Sequence, residues 1–315
     1  MRKKFSFKET PALFKDTFKG FSEDRIPKLS GALAYYTVFS MAPLLVVIIS
    51  FCGLFLGREA VQGKIYGQLS TFIGPDSASQ MQEIIKNAAI QSTGNIAAVI
   101  GIITLLIGAT SVFAEIQDSI NSIWGVKPKP KRGWLKMLQN RFLSFSVIVG
   151  LGFLLLVSLA ITGLIEGLNH KLQASFPQVT IVVFYIINLL LTIGISALIF
   201  AVIFKVLPDA KIKWKDVSVG ALITALLFLF GKFAISFYIS KTKVGTTYGA
   251  AGSFVVLLVW IYYSSVILYL GAEFTKIYAL KYGDEIHPND YAVTTKQVEI
   301  ETGHESIQEA QGNKK

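Results

Sequence analysis

The sequence predicts an all-α membrane protein with six transmembrane helices, a small helical extracytoplasmic cap and an N-terminal interfacial helix. Two features of the composition lead to this fold class. Apolar residues make up 52% of the 315 residues and charged residues only 16%, against about 25% charged in soluble domains. The charges are also clustered, and residues 29–57, 142–165 and 172–204 contain no Asp, Glu, Lys or Arg. Each stretch exceeds the roughly 20 residues with which a helix crosses about 30 Å of hydrocarbon.

Residues 1–29 are polar and basic and contain the first predicted helix. Pro11 suits a first helical turn, and Gly20 suits the end of the helix. At helical spacing, one side of this helix carries Leu13, Phe14, Thr17, Phe18 and Phe21. The pattern is typical of an amphipathic helix lying on the inner leaflet. A frayed tail with chance aromatic residues is the alternative.

Six hydrophobic segments form a membrane domain over residues 30–283. The predicted spans are 30–57, 96–124, 141–165, 179–204, 217–240 and 250–276. The fifth is interrupted by Lys232, but the apolar runs on either side of this residue join into one span of normal length. These six spans contain most of the apolar residues of the domain.

The connections and the tail show weaker sequence patterns than the spans do. Loop 58–95 carries two amphipathic repeats, at 61–72 and 81–88, which predict a small helical cap on the membrane surface. Residues 284–315 show no apolar period and are rich in Glu, Gln, Thr and Lys. This composition predicts a disordered cytoplasmic tail.

The orientation follows from the basic residues of the connections. Counted along the chain, alternate connections sum to 23 and 6 Lys and Arg residues. Because basic connections stay on the cytoplasmic side, both termini are predicted to be cytoplasmic. Trp124, Trp134 and Trp214 all fall near the predicted inner interface, where aromatic residues are enriched.

No pattern for catalysis, a metal or a cofactor is found. The single cysteine, Cys52, lies in an apolar run, and the three histidines are His170, His287 and His304, in a loop and in the tail. No cluster has the spacing of metal ligands, and no GxxxxGK[ST] loop for nucleotide phosphates occurs. We therefore expect no catalytic residues, no metal and no cofactor, and we expect that the protein is not an enzyme.

Two polar stripes run along predicted spans, where each polar group costs free energy in lipid. In the second span the stripe is Thr104, Gly108, Ser111, Glu115, Asp118 and Ser122, and in the sixth it is Tyr262, Ser265, Tyr269 and Glu273. Small and hydroxylated residues either line a wet cavity or pack helices closely. Glu115 and Glu273 fall at similar depth near the inner rim. They predict a cation-binding or titrating pair, or alternatively an ion pair with Lys28, Arg141 or Lys276.

Three further residues are candidates for a cavity. Lys232 lies about 12 Å from the outer end of its span and predicts an aromatic, carbonyl or anionic partner, with snorkelling to the interface as the alternative. Pro43 removes a backbone donor in the middle of the first span and should kink it, and Tyr36 lies nearby on the same helix. Kinks mark either moving segments or purely structural bends.

Particular strings resemble a known family. Residues 29–40 (LSGALAYYTVFS) with Pro43 resemble the first-span signature of the YihY/BrkB family of bacterial membrane proteins. Residues 207–217 (LPDAKIKWKDV) resemble its fourth connection, and the strings in 248–273 resemble its last span. The resemblance implies a six-span inner-membrane protein. Some members are labelled ribonuclease BN, others are named for serum resistance, and the family offers no agreed catalytic residues.

The leading functional hypothesis is a transporter or flippase-like protein for a lipid-like, anionic or ionic cargo, with a cavity lined by spans 1, 2, 5 and 6. A non-transporting scaffold for envelope integrity is the alternative. The lack of a metal or acid–base cluster argues against a ribonuclease, and no nucleic-acid partner is expected. The lipid bilayer is the expected partner, and the sequence leaves the oligomeric state open.

Overall fold

The structure, a computed structural model, describes residues 9–73, 95–129, 177–242 and 252–295, with isolated positions between 78 and 150. The longer helices of these ranges are α1 Thr10–Glu23, α2 Ile26–Leu56, α3 Arg58–Ile73, α4 Asn95–Ile123, α5 Pro177–Val206, α6 Trp214–Thr242 and α7 Gly252–Tyr282. The strands are β1 Val126–Pro128, β2 Ala210–Lys211, β3 His287–Pro288 and β4 Ala292–Thr294. The predicted mostly helical architecture is confirmed.

Three helices of the described residues are long and apolar enough to cross a membrane. These segments are Ile186–Val206, Trp214–Ile235 and Phe254–Tyr282, in α5, α6 and α7. Helices α2 and α4 have 31 and 29 residues, and at about 1.5 Å per residue each is longer than the hydrocarbon core. The predicted span 141–165 and the cap pattern 81–88 lie largely outside the described residues.

The helices pack as a connected series. Helix α2 packs against both α4 and α7, α7 packs against α6, and α6 packs against α5. Helix α1 lies across α7, where the rings of Phe14 and Phe274 are 5.7 Å apart. The main apolar core lies where the C-terminal ends of α4 and α5 meet the N-terminal ends of α2 and α6 and the second half of α7. Its members with 0% exposure are Ile26, Ile120, Phe204, Leu207, Val217, Ala225, Tyr269 and Ala272.

Large apolar side chains also point outward from the bundle. Those more than 60% exposed include Phe39, Leu190, Phe230, Phe233 and Phe237. A soluble monomer rarely exposes so many large apolar groups. Lipid acyl chains are the natural cover for these positions, in agreement with the apolar composition.

Helices α6 and α7 meet through a reciprocal pair of glycine–threonine contacts. A Cβ at Gly271 would stand 2.0 Å from Thr224 Oγ1, and one at Gly220 would stand 1.9 Å from Thr275 Oγ1. Each hydroxyl donates a 2.7 Å hydrogen bond within its own helix, Thr224 to the Gly220 carbonyl and Thr275 to the Gly271 carbonyl. Small residues permit close helix approach in a membrane, so these four positions fix the spacing of α6 and α7.

Four short strands accompany the helices, and two of them lie in the first part of the predicted tail. Residues 284–295, predicted to be disordered, contain β3 and β4. Strand β4 pairs antiparallel with β1, and β3 pairs antiparallel with β2. Strands of two or three residues are too short to show the period-two pattern of a strand, and their partners are distant in the chain. Residues 296–315 lie outside the described residues.

Candidate functional site

The polar stripe of α4 lies at the border of the buried face of the helix. Asp118 and Ser122 are exposed, while Ser111 and Glu115 are half-buried. The packed face instead presents Val112, Ile116, Gln117, Ile120 and Asn121, all less than 7% exposed. The stripe therefore does not form the packed centre of the bundle, and its carboxylates remain accessible.

Glu115 and Asp118 lie beside two hydroxyl groups. Ser119 is 2% exposed, and its hydroxyl donates a long 3.4 Å hydrogen bond to Glu115 Oε1. Tyr269 on α7 is completely buried and lies within electrostatic range of both acids, with Ser119 next to it. Two helices thus bring together four oxygen-bearing side chains.

Glu273 belongs to a second cluster, at the junction of α1, α4 and α7. Its carboxyl group is 1% exposed, and Oε2 lies 2.6 Å from Lys276 Nζ. The same ammonium donates to Asp24 Oδ2 at 2.7 Å and to the Ile123 carbonyl at 2.9 Å. Gly20 lies directly against the Glu273 carboxyl group. One lysine therefore joins three helices.

This arrangement decides between the interpretations of the two predicted acids. Glu273 forms the ion pair with Lys276 that was the alternative to a cation site. Glu115 interacts instead with Asp118 and Ser119, so in the described residues no shared basic side chain joins it to Glu273. Gly20, predicted to end α1, lies inside the helix, which continues to Glu23. Its role is the close approach to Glu273, which a pattern within α1 cannot reveal.

A third cluster surrounds the buried carboxylate of Asp209, which is 1% exposed. Oδ1 accepts hydrogen bonds from Gln117 Nε2 at 3.2 Å and from the Tyr291 hydroxyl at 2.9 Å. Oδ2 accepts one from Asn121 Nδ2 at 2.9 Å, and Asn121 Oδ1 accepts the Asp209 N–H at 2.8 Å. The Asp209 carbonyl accepts the N–H of Asn289 at 2.9 Å. The network ties α4, the α5–α6 connection and the C-terminal segment together.

Sequence reasoning did not assign a role to the Asp209 cluster. Two signals were present: the amides Gln117 and Asn121 are four residues apart on one helix, and Leu207-Pro208-Asp209 belongs to a string that resembled the family. What the sequence did not show is the partner Tyr291, which is 82 positions from Asp209.

The remaining candidates fall in separate places. The hydroxyls of Ser111 and Ser40 are 2.6 Å apart, which joins α4 to α2. Tyr36 is 44% exposed and Tyr262 is 37% exposed, so neither lies in a closed cavity. Helix α2 continues as α-helix through Pro43.

Lys232 is half-buried on α6. Ala225 and Ala221, two and three turns away on the same face, are buried at 0% and 1% exposure. One turn away, the ring of Phe228 packs edge-on against Phe200 and Trp260, at 5.8 and 6.3 Å. The face that carries Lys232 is therefore the one that packs into the bundle.

Ion pairs outside the spans hold the peripheral segments. Lys281 at the end of α7 bonds to Asp16 of α1, and this hydrogen bond lowers the pKa of the Asp16 carboxyl group. Lys211 donates to Asp290 Oδ1 at 2.6 Å and lowers the pKa of Asp290. Lys213 lies 2.5 Å from Asp284. The Lys211–Asp290 pair is largely exposed and therefore contributes little to stability.

The long apolar helices, the outward-facing aromatic side chains and the polar clusters between helices define an integral membrane protein. A comparison with family models is decisive for the particular family. The model described as Virulence factor BrkB matches residues 17–293, and the chain belongs to this family. The predicted resemblance is confirmed.

The curated names of similar proteins agree with the assignment to a family of membrane proteins. The chain is 30% identical to a UPF0761 membrane protein of Pseudoalteromonas translucida over 80% of this chain and 81% of the relative. It is 30% identical to one of Vibrio parahaemolyticus over 84% and 81%. It is 25% identical to a UPF0761 membrane protein of Ralstonia nicotianae over 79% of this chain. The matched region covers only 55% of the length of that relative. No solved structure matches the chain.

Proposed function

We propose that the chain is a six-span protein of the bacterial inner membrane, with both termini in the cytoplasm, that moves a lipid-like, anionic or ionic cargo. The topology rests on the asymmetry of 23 against 6 basic residues between alternate connections. The helices α2, α4, α5, α6 and α7 lie where five of the six spans were predicted. The lipid bilayer is the first partner of such a protein.

The observation that carries the transport proposal is the accessibility of charge inside a predicted span. Asp118 is exposed and Glu115 half-buried, five and eight residues from the inner end of α4. A carboxylate placed in hydrocarbon costs several kcal/mol, so these groups need water or a charged ligand. A water-filled opening at the inner half of the bundle satisfies this need.

The test is reconstitution of the purified protein into vesicles of phosphatidylethanolamine and phosphatidylglycerol. One set carries headgroup-labelled fluorescent phosphatidylglycerol, and an impermeant quencher reports movement from the inner leaflet. A second set is loaded with radiolabelled Na⁺ and reports its efflux. Faster movement of either probe than in protein-free vesicles, slowed by Asp118→Asn, is expected. Rates equal to the protein-free control for both probes would contradict transport.

The envelope scaffold is the alternative, and the absence of an enzyme activity is part of the proposal. A scaffold predicts that variants of Glu115 and Asp118 restore a deletion phenotype as well as the wild type does.

For the enzyme question, the described residues contain no group of three or more metal-ligating side chains. We propose that purified protein degrades no RNA above background. Activity that co-purifies with the protein and is lost in a variant of its own acids would contradict this.

A further inference from the structure

We propose that the surface formed by Lys205, Trp214 and Lys215 binds the headgroup of an anionic phospholipid. The acyl chain of this lipid lies along the outer face of α6, below the headgroup. This role goes beyond the proposed function, because it requires only that α6 spans the membrane and does not require transport. The ligand is a lipid with a negatively charged phosphodiester, such as phosphatidylglycerol.

The α5–α6 connection separates its charges, with the acids inside and the lysines outside. Asp209 and Asp216 are only 1% and 5% exposed. Asp209 lies in the hydrogen-bond network described above, and Asp216 Oδ2 accepts the N–H of Asp284 at 3.1 Å. The lysines of the same connection are all exposed: Lys211, Lys213 and Lys215. The outer surface of this connection is therefore positive.

Two of the positive charges at this surface are not neutralised by the protein. Lys211 and Lys213 form ion pairs with acids of the C-terminal segment. In the described part of the chain, Lys205 and Lys215 form no ion pair, and the Lys205 ammonium donates instead to the neutral carbonyl of Ile212. Lysines beside a membrane surface attract anionic headgroups. A phosphodiester would supply the negative charge that these two lysines lack.

Trp214 lies between the two lysines and places the surface at the level of the headgroups. Its ring is 53% exposed, and its centroid is 5.9 Å from Lys205 Nζ, a distance at which a cation is attracted to the ring. The residue also begins the apolar segment Trp214–Ile235. Tryptophan is enriched where hydrocarbon meets water. The indole N–H and the two ammonium groups are all donors, which suits the acceptor oxygens of a phosphodiester.

An exposed apolar face continues along α6 from Lys215. Leu222, Leu226, Phe230 and Phe233 are 46%, 43%, 76% and 63% exposed. Their spacing of four, four and three residues places them on one side of the helix, and Leu222 is seven residues from Lys215. The face extends for about 16 Å at helical rise, roughly half the hydrocarbon thickness. A positive end followed by an apolar face of this length matches the headgroup and acyl chain of one phospholipid.

The test is lipid binding to the full-length protein in mild detergent, with bound lipids counted by native mass spectrometry. Phosphatidylglycerol and phosphatidylcholine with the same acyl chains are titrated separately. We expect phosphatidylglycerol to bind more tightly, because only its headgroup carries a net negative charge. In Lys215→Gln its apparent Kd should rise about fivefold, the usual contribution of one lysine near an anionic membrane. Trp214→Ala should also raise this Kd.

The matched control is Lys127→Gln, which removes an exposed lysine from strand β1 and should leave the Kd unchanged. Excess inorganic phosphate should displace little of the bound lipid, since it cannot use the apolar face. If Lys215→Gln does not fold, Trp214→Ala carries the test. Equal Kd values for the two lipids, equal losses in the two lysine variants, or full displacement by phosphate would each overturn the proposal. Selective binding by a protein that moves neither vesicle probe would retain the lipid site and contradict transport only.

Discussion

Gly20 on α1 faces the carboxyl group of Glu273 on α7 so closely that a Cβ at position 20 would stand 1.8 Å from Oε1. The carboxyl group is 1% exposed and bound to Lys276, so it has little space into which to move. The contact places the N-terminal helix directly over the ion pair that joins α1, α4 and α7.

Gly20→Ala is therefore expected to destabilise the protein. Overpacking costs about 1–3 kcal/mol, which outweighs the gain of about 0.5–1 kcal/mol from replacing a helical glycine. Thermal unfolding in detergent measures the effect. The control is Gly31→Ala, where nothing lies within 4 Å and a slight stabilisation is expected. In Gly20→Ala combined with Glu273→Ala the two losses should be less than additive, and strict additivity would contradict the contact.

Lys276→Met should be among the more damaging single substitutions of a charged residue. It leaves the buried Glu273 carboxylate without its partner, which costs about 3–5 kcal/mol. Adding Glu273→Gln should recover part of this loss, because the uncompensated charge is then removed. Lys19→Met is the control, since the Lys19–Glu23 pair is 73% and 63% exposed and should contribute less than about 1 kcal/mol. Equal effects of the two lysine substitutions would contradict the buried pair.

Tyr291→Phe should loosen the C-terminal segment. The variant loses a 2.9 Å hydrogen bond to the buried Asp209 carboxylate, worth about 1.5–3 kcal/mol. Hydrogen exchange of the backbone amides in 287–294 is the measurement, and faster exchange is expected there. Asp290→Asn, which weakens an exposed pair with Lys211, should change exchange much less. Unchanged protection in Tyr291→Phe would show that the network does not hold the segment.

The topology predicts which side of the membrane each connection occupies. In a Cys52→Ser background, single substitutions Ser77→Cys and Ser306→Cys place one thiol in the predicted outer loop and one in the predicted cytoplasmic tail. An impermeant thiol reagent applied to intact cells should label the first and not the second. Labelling at position 306 would show that the assigned orientation is wrong.

Lys232→Leu tests the lysine that interrupts the fifth predicted span. Removing the charge relieves a solvation cost of about 2.5–3.5 kcal/mol, so we expect normal abundance in the membrane together with loss of function in a deletion strain. Abundance by immunoblot and rescue of the deletion phenotype are measured in parallel. Normal abundance with full rescue would identify a snorkelling side chain, and a collapse in abundance would identify a structural ion pair.

The helices could be predicted from the sequence because hydrophobic length is a local property. Helix α2 occupies 26–56 where 30–57 was predicted, and α4 occupies 95–123 where 96–124 was predicted. The helix ends differ by a few residues because polar turns at the interface continue the helix without adding hydrophobicity.

The clusters could not be predicted, because each joins residues that are far apart in the chain. Lys276 and Asp24 are 252 positions apart, and no period or motif within one helix indicates such a pair. The acids Glu115 and Glu273 were singled out because charged groups are unusual in a membrane span. Whether the two acids fall in one cluster or in two depends on how α4 and α7 are rotated about their own axes. Hydrophobic periodicity alone does not fix that rotation.

The pairing of β1 with β4 and of β2 with β3 has a consequence for biosynthesis. Both later strands follow α7 in the chain, while their partners precede α5 and α6. Residues 126–128 and 210–211 must therefore wait, unpaired, until the last helix has left the ribosome and entered the bilayer. This end of the bundle closes only then, so a chain arrested before α7 would have two unpaired strand edges and an Asp209 carboxylate without its hydrogen bond from Tyr291.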